Sequence, residues 1–234
     1  MEYRTKEFTL PVSGALCIVR EADANAEYLL TGDKRVAEAF PDYWAYLTRQ
    51  IGDIHRPTTS QFLDLLEPDR ISIAIEIFRV TMGDELKLSG ECAGCGEPVN
   101  YVVDLGELDF IPLPEGVSGP DPTFEIELPR SRHRVIWGFR TGHQEIEELR
   151  MKGFNPSRSV FRAIRSIDGN MDFKLHDVMA WPLMDHRALR NDIASKMVGY
   201  DTRVRFTHGC GRGQVVNILS DPSFLMPGLA GGLT

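Results

Sequence analysis

Several things are missing from this chain, and each absence narrows what it can do. No stretch approaches the roughly eighteen consecutive apolar residues that a membrane-spanning helix needs, so no membrane segment is expected. The opening Met1-Glu2-Tyr3-Arg4-Thr5-Lys6 is not backed by an apolar core, so no secretory leader is expected either. Gly94-Cys95-Gly96 and Gly209-Cys210-Gly211 are too short for a phosphate-binding loop and lack its lysine. There is no Gly-x-Ser-x-Gly elbow to raise a nucleophilic serine. His143 and Glu147 stand four apart, a spacing that suits a metal on a helix, but the rest of a zinc-hydrolase signature is missing. Asp168 and Asp172 flank a Gly-Asn pair and read as turn chemistry. No nucleophile–base pair stands out, so an enzyme is not expected. Cysteine is scarce, at 4 residues. That is too few for a disulfide framework and points to assembly in a reducing cytoplasm.

Two of those cysteines dominate what is present. Glu91-Cys92-Ala93-Gly94-Cys95-Gly96-Glu97 is a Cys-x-x-Cys turn between strand-like runs, Glu85 to Gly90 and Val99 to Asp104. Near the far end, Thr207-His208-Gly209-Cys210-Gly211 turns between two more, Thr202 to Thr207 and Gln214 to Leu219. Such knuckles aim ligand atoms at one point, as a tetrahedral zinc site requires. Counting back from Cys210 puts the missing cysteine of the second pair at Thr207, with His208 one place on. The candidate ligands are therefore Cys92, Cys95, Cys210 and His208, for one structural zinc ion. A redox pair would sit at a helix N-terminus in a βαβ setting, and these flanks read as strands. A ribbon that has lost its metal, with hydrogen bonds in its place, is the other reading. Cys17 sits in an apolar run and reads as core.

Apolar content of 42% and charged content of 26% are ordinary for a globular chain. The net charge of −8 hides an asymmetry. Residues 1–129 hold 10 basic and 24 acidic side chains, residues 130–165 hold 9 and 3, and the remainder is balanced. Such a split suits a subunit docking between differently charged neighbours better than a free enzyme.

The pattern predicts an α+β protein, with helices around small antiparallel β-sheets and a split zinc-ribbon-like knuckle pair. Residues 1–84 should form a β-hairpin (Lys6–Pro11 with Ala15–Arg20) and a helical region. Within it, helices are expected over Glu21–Leu30 and Ser60–Leu66, and two meeting near Phe40 where Pro41 interrupts Lys34–Ile51, with a loop over Ile54–Thr59. Ile71–Met82 alternates like a strand, but Pro68 and Asp69 make a good helix start, and helix is preferred. Residues 85–140 should hold the first knuckle, a Pro/Gly-rich surface loop or arm at Ile111–Pro122, and strands at Thr123–Leu128 and His133–Phe139. Residues 141–200 read as a helical insert: His143–Lys152, Ser157–Arg165, Lys174–Ala180 and Leu183–Met197, the last turning Leu183, Leu189 and Ile193 inward. Residues 201–227 should pack the second knuckle on the first, and 228–234 read as a loose tail.

A run of pieces in fixed order carries a resemblance. Leu65-Leu66 and Asp69-Arg70 precede an apolar run to Arg79 and Thr81-x-Gly83. Cys92-x-x-Cys95-Gly96, Val103-Asp104-Leu105 with Leu108, Leu128-Pro129 and Phe139-Arg140-Thr141-Gly142 follow. A final knuckle with Phe224-x-x-Pro227 closes the series. From about Leu65 to Pro227 the chain resembles the T-even-type bacteriophage baseplate family, small hub or hub-assembly proteins of contractile tails. The Thr207-His208 pair departs from the expected cysteines. The resemblance implies a component of the virion's tail baseplate, assembled in the bacterial host cytoplasm. Hub, wedge and tube-proximal proteins would be its partners in a symmetric multi-copy assembly, with binding through protein surfaces alone. Two other classes stay open. One is a zinc-ribbon nucleic-acid binder using Arg130, Arg132, Arg134, Arg140, Arg158, Arg162 and Arg165, against which the overall acidity counts. The other is a zinc hydrolase with an open fourth ligand position.

Overall fold

The computed structural model describes residues 2–30, 36–150, 156–220 and 224. It is an α+β protein of small antiparallel sheets and helices, as expected. The expected tail over 228–234 lies outside the described residues.

Strands β1 (Thr5–Thr9) and β2 (Leu16–Arg20) form the first hairpin. Helices α1 (Ala24–Leu30) and α2 (Val36–Leu47) lead into β3 (Thr48–Ile51) and β4 (Ile54–His55), which complete a sheet in the order β1-β2-β3-β4. Two expectations fail here. Pro41 lies inside one continuous α2, and Thr48–Ile51 is strand, with Ile54–His55 pairing back on it. Helix periodicity in the sequence ran past the true end because Leu47, Thr48 and Ile51 are all buried, and burial alone does not separate helix from strand. Helix α3 (Thr59–Asp64) starts at a capping box made by Thr58 and Gln61. Helix α4 (Glu67–Met82) follows, with Pro68 in its first turn.

The α4 helix explains the ambiguous isoleucines. Ile73 and Ile77 enter the core under the first sheet, while Ala74, Ile75 and Phe78 enter a second core shared with residues Leu86 to Leu105 and Ile218. A helix buried on two sides is apolar nearly all round, so its alternation carries no strand information.

Strands β5 (Glu85–Glu91) and β6 (Pro98–Asp104) form the first knuckle hairpin. After a short 3₁₀ turn, β7 (Phe110–Ile111) leads into the Pro/Gly-rich segment. That segment is not an arm. Leu113 and Val117 pack on a third core, built around Leu128, Val135 and Trp137, and Asp121 takes a two-pronged ion pair from Arg165. Strands β8 (Thr123–Glu127) and β9 (Arg134–Gly138) follow, then α5 (Gly142–Arg150) and α6 (Pro156–Ala163). Next come β10 (Ile164–Ile167), α7 (Leu175–Met179) and α8 (Leu183–Ser195). The end of the expected 157–165 helix is thus strand. Leu189 is buried as expected, but Leu183 is 61% exposed. Packing also groups the chain differently from the expected division at 140/141. Trp137, Phe139, Val160, Val178 and Leu189 share one core, so that cut would pass through a packed unit. Strand β11 (Gly199–Tyr200) pairs with β7, and β12 (Arg203–Thr207) pairs with β13 (Gly213–Asn217).

Unexpectedly, the chain builds one design twice. Apart from one short extra strand in each, β4 in the first and β11 (Gly199–Tyr200) in the second, the order hairpin, two helices, strand, two helices, knuckle hairpin, 3₁₀ turn occurs over Thr5–Glu107 and again over Thr123–Ser220. Register agrees residue by residue. Cys17, Ile18 and Val19 face Ile51, Gln50 and Thr48 across a bulge; Val135, Ile136 and Trp137 face Ile167, Ser166 and Ile164 across a bulge at the same place. Each first hairpin turns with a left-handed residue, Gly14 or Arg132. Each turn is also clamped by a helix carboxylate. Val12 and Ser13 N–H donate to Asp69 at 2.8 and 3.1 Å, and Arg130 and Ser131 N–H donate to Asp185 at 2.8 and 3.0 Å. Even the closing 3₁₀ turns match: Asp104 accepts from Gly106 N–H and Asn217 from Leu219 N–H.

The repeats meet at a polar junction. The α3–α4 corner of the first docks where β9 runs into α5 of the second. Glu67 N–H donates to the Arg140 carbonyl, and Leu66 bridges Thr141. Arg140 pairs with Glu67 and Glu148, each at 3.1 Å, and buried Arg70 pairs with Glu145. Gly142 allows the approach: a methyl there would lie 2.5 Å from a Leu63 side-chain carbon and 3.0 Å from Leu63 Cα.

Candidate metal centre

The first knuckle grows from strand pairing that runs unbroken to Glu91 opposite Pro98. Cys92 N–H then donates to the Glu97 carbonyl and Gly96 N–H to the Cys92 carbonyl. Gly96, at φ 75°, supplies the left-handed residue that a side chain would strain. Gly94 N–H points at Cys92 Sγ at 3.4 Å. In the second knuckle pairing ends at Thr207 opposite Gly213. His208 N–H donates to the Arg212 carbonyl, Gly211 N–H donates to the His208 carbonyl, and Gly211 has φ 82°.

Laid side by side, these bonds correct the expected register. Cys92 and His208 are each the first residue past the last strand pair, and Cys95 and Cys210 each precede the left-handed glycine. The second turn is one residue shorter. The first-ligand position is therefore His208, not Thr207, which is a paired strand residue. The candidate donors therefore read Cys-x-x-Cys in one repeat and His-x-Cys in the other.

The two turns meet. Cys92 Sγ lies 3.7 Å from Cys210 Sγ, Cys95 Sγ 3.4 Å from His208 Nδ1, and His208 Nδ1 3.3 Å from Cys210 Sγ. All four donor atoms lie within 4.8 Å of one another, close enough to bind one metal ion. Metal–ligand bonds of about 2.3 Å to sulfur and about 2.0 Å to nitrogen imply tetrahedron edges of roughly 3.8 Å between sulfurs and roughly 3.5 Å from sulfur to nitrogen. The observed spacings fall near those edges.

Electrostatics suit a thiolate site. The Cys95 and Gly94 N–H groups, with help from the neighbouring thiols, lower Cys92 to about 6. The Glu97 N–H also pulls Cys95 down, but desolvation and the Cys92 and Cys210 sulfurs outweigh it and push that thiol up to about 11. Three sulfurs this close cannot all carry charge unless a cation joins them. Cys92 is buried while Cys95 and Cys210 are exposed, so one side of the cluster faces solvent. Tyr101 stacks on Phe206, centroids 3.7 Å apart, and so fastens one hairpin to the other behind the cluster. Arg212 lies against Gly94, where a methyl would sit 3.0 Å from its Cβ.

The remaining candidates are accounted for without metal. Cys17 is fully buried core. His143 faces Asp64 and Ser60, while Glu147 pairs with Arg162, so the helical His–Glu spacing does not form a ligand pair. Asp168 accepts from Arg134 N–H and pairs with His133 at 2.6 Å, in a turn. No family model, curated protein or solved structure matches the chain.

Proposed function

We propose that this chain is a structural or assembly component of a contractile-tail baseplate, at or near the hub, acting by protein–protein docking. A single structural zinc ion on Cys92, Cys95, His208 and Cys210 clasps its two repeats. The observation that carries this reading is the closed donor set: three sulfurs and one imidazole nitrogen converge from knuckles more than a hundred residues apart. That set suits zinc over harder cations. It also leaves no open position for a reacting water, which favours a structural ion over a hydrolytic one. When bound, the ion would supply folding free energy on the order of 10 kcal/mol and tie the two knuckles into one body. A rigid block suits a docking part. The tail assignment rests on the order of sequence motifs from about Leu65 to Pro227.

The nucleic-acid reading loses its main support in the side-chain pairing. Arg132 pairs with Glu127, Arg134 with Glu125, Arg140 with Glu67 and Glu148, Arg162 with Glu147 and Arg165 with Asp121. Cations already neutralised by carboxylates release few counterions on meeting phosphates. The test of the assembly role is deletion of the gene from a tail-encoding genome, followed by electron microscopy. Particles lacking complete baseplates are expected; normal contractile tails would rule the role out.

A further inference from the structure

The second repeat keeps open a space that the first one fills with side chains. Thr48 and Ile164 face Val19 and Trp137 in the two bulged strand pairs. That match sets α6 on α2 without a gap, because each helix runs directly into its strand. Tyr43, Trp44 and Leu47 then correspond to Ser159, Val160 and Ala163, so three large side chains stand against three small ones. In the first repeat Tyr43 and Leu47 are buried, and Trp44 packs against Phe40 and Phe62. In the second, Trp137 in place of Val19 returns part of that volume. A cavity of about 260 Å³ remains, walled by Ser159, Val160 and Ala163 with Trp137, Phe139 and Ile193.

A cation faces this cavity. The clamping Asp69 and Asp185 set α8 on α4, and Arg190 then stands where the first repeat has buried Ala74. Arg190 lines the cavity, and its Nε donates to the His186 carbonyl one turn back at 3.3 Å. Among the described residues its guanidinium forms no ion pair. Arg140 and Glu67 reach the same cavity already paired with each other. Two guanidiniums and one carboxylate leave the lining with a net positive charge.

We propose that this cavity binds a small molecule made of an apolar body and one carboxylate, the body against Trp137, Phe139 and Val160 and the carboxylate on Arg190. A guanidinium offers a planar fork of N–H donors that meets a carboxylate in two parallel bonds. An apolar concavity with a few placed polar groups is the usual form of such a site. A mere packing gap would account for the three shortened side chains but not for the cation, because a charge gains nothing from facing apolar walls. The inference stands apart from both the metal and the tail role.

The test is isothermal titration calorimetry on the full chain with octanoate, and with octanol as the same body without the charge. Octanoate should bind with a dissociation constant below about 1 mM, and octanol about tenfold or more weakly. Arg190→Gln should weaken octanoate by about tenfold or more, as loss of a hydrogen bond to a charged group does, and leave octanol unchanged. An unchanged melting temperature for that variant would show that folding is intact. Val160→Trp restores the first repeat's side chain and should abolish binding of both probes; Ala163→Leu should do the same with a smaller change in volume. Octanoate that fails to bind below about 1 mM, octanol bound as tightly, or an octanoate affinity indifferent to Arg190→Gln would each overturn the proposal.

Discussion

The two repeats share a plan and differ in what surrounds it. In the first, α4 is buried on two sides, because the ribbon core lies on the face opposite the sheet. In the second, α8 occupies the same place but buries only Asp185, His186 and Leu189. The knuckles differ by the same logic of position. The first has six residues from Cys92 to Glu97 and presents two sulfurs; the second spans His208 to Arg212, and the longer imidazole side chain makes up the reach that the shorter turn loses. What persists across both copies is backbone hydrogen bonding, turn handedness and a few side chains, the clamping Asp69 and Asp185 among them.

Removing the clasp should break the comparison most severely. Cys92→Ala takes the buried sulfur from the first knuckle, and metal-linked stability on the order of 10 kcal/mol is at stake. Loss of bound zinc and a large fall in melting temperature are expected, and a chelator should reproduce both in the wild type. Next in size is the repeat junction. Glu145→Ala strands the buried Arg70 guanidinium without its carboxylate, a change worth about 3–5 kcal/mol, read by denaturant unfolding. Arg70→Ala should cost less, since Glu145 keeps Arg140 at 3.5 Å and is partly open to water.

The carboxylate clamps offer a sharper comparison because the two repeats use them alike. Asp69→Ala and Asp185→Ala each orphan two backbone N–H groups, and about 1–3 kcal/mol is expected for each substitution. Similar losses would support a shared design; a loss at one site alone would argue against it. The smallest effect is in their titration. Desolvation pushes Asp69 above the ordinary carboxylate range despite the Val12 and Ser13 N–H groups. Desolvation also acts on Asp185, but the Arg130 and Ser131 N–H groups and nearby His133 hold it below that range. The signs are therefore opposite. Asp185 contributes stability above its unfolded value, near pH 4, and loses it as pH falls through its lower folded value. Asp69 favours folding most when protonated, and that contribution fades as pH rises through its higher folded value. Carboxyl carbon chemical shifts followed by NMR should show Asp69 titrating above Asp185.

The sequence revealed the knuckles because cysteine is rare here and each turn carries its own local signal, Cys-x-x-Cys-Gly and His-x-Cys-Gly. It revealed α4 through Pro68 and Asp69, which mark a start that alternation of isoleucines cannot overrule. Thr48–Ile51 and Ile164–Ile167 look helical in sequence because each is a four-residue strand joined directly to a helix, with no turn residue between them. The repeat stayed hidden because its specifying contacts are long-range: Asp69 reaches Val12, and Asp185 reaches Arg130. Besides the knuckles, its local traces are Leu10-Pro11-Val12-Ser13 against Leu128-Pro129-Arg130-Ser131, and Phe62 to Asp69 spaced as Val178 to Asp185. Those traces would also have placed His208, since matching the repeats aligns it with Cys92.

One absorption spectrum would test the clasp most directly. X-ray absorption at the zinc edge, on protein purified without chelator, should show one zinc per chain. Three sulfurs at about 2.3 Å and one nitrogen at about 2.0 Å should surround it, with the nitrogen shell replaced in His208→Ala. Protein that holds no zinc, or zinc bound without sulfur neighbours, would contradict the account.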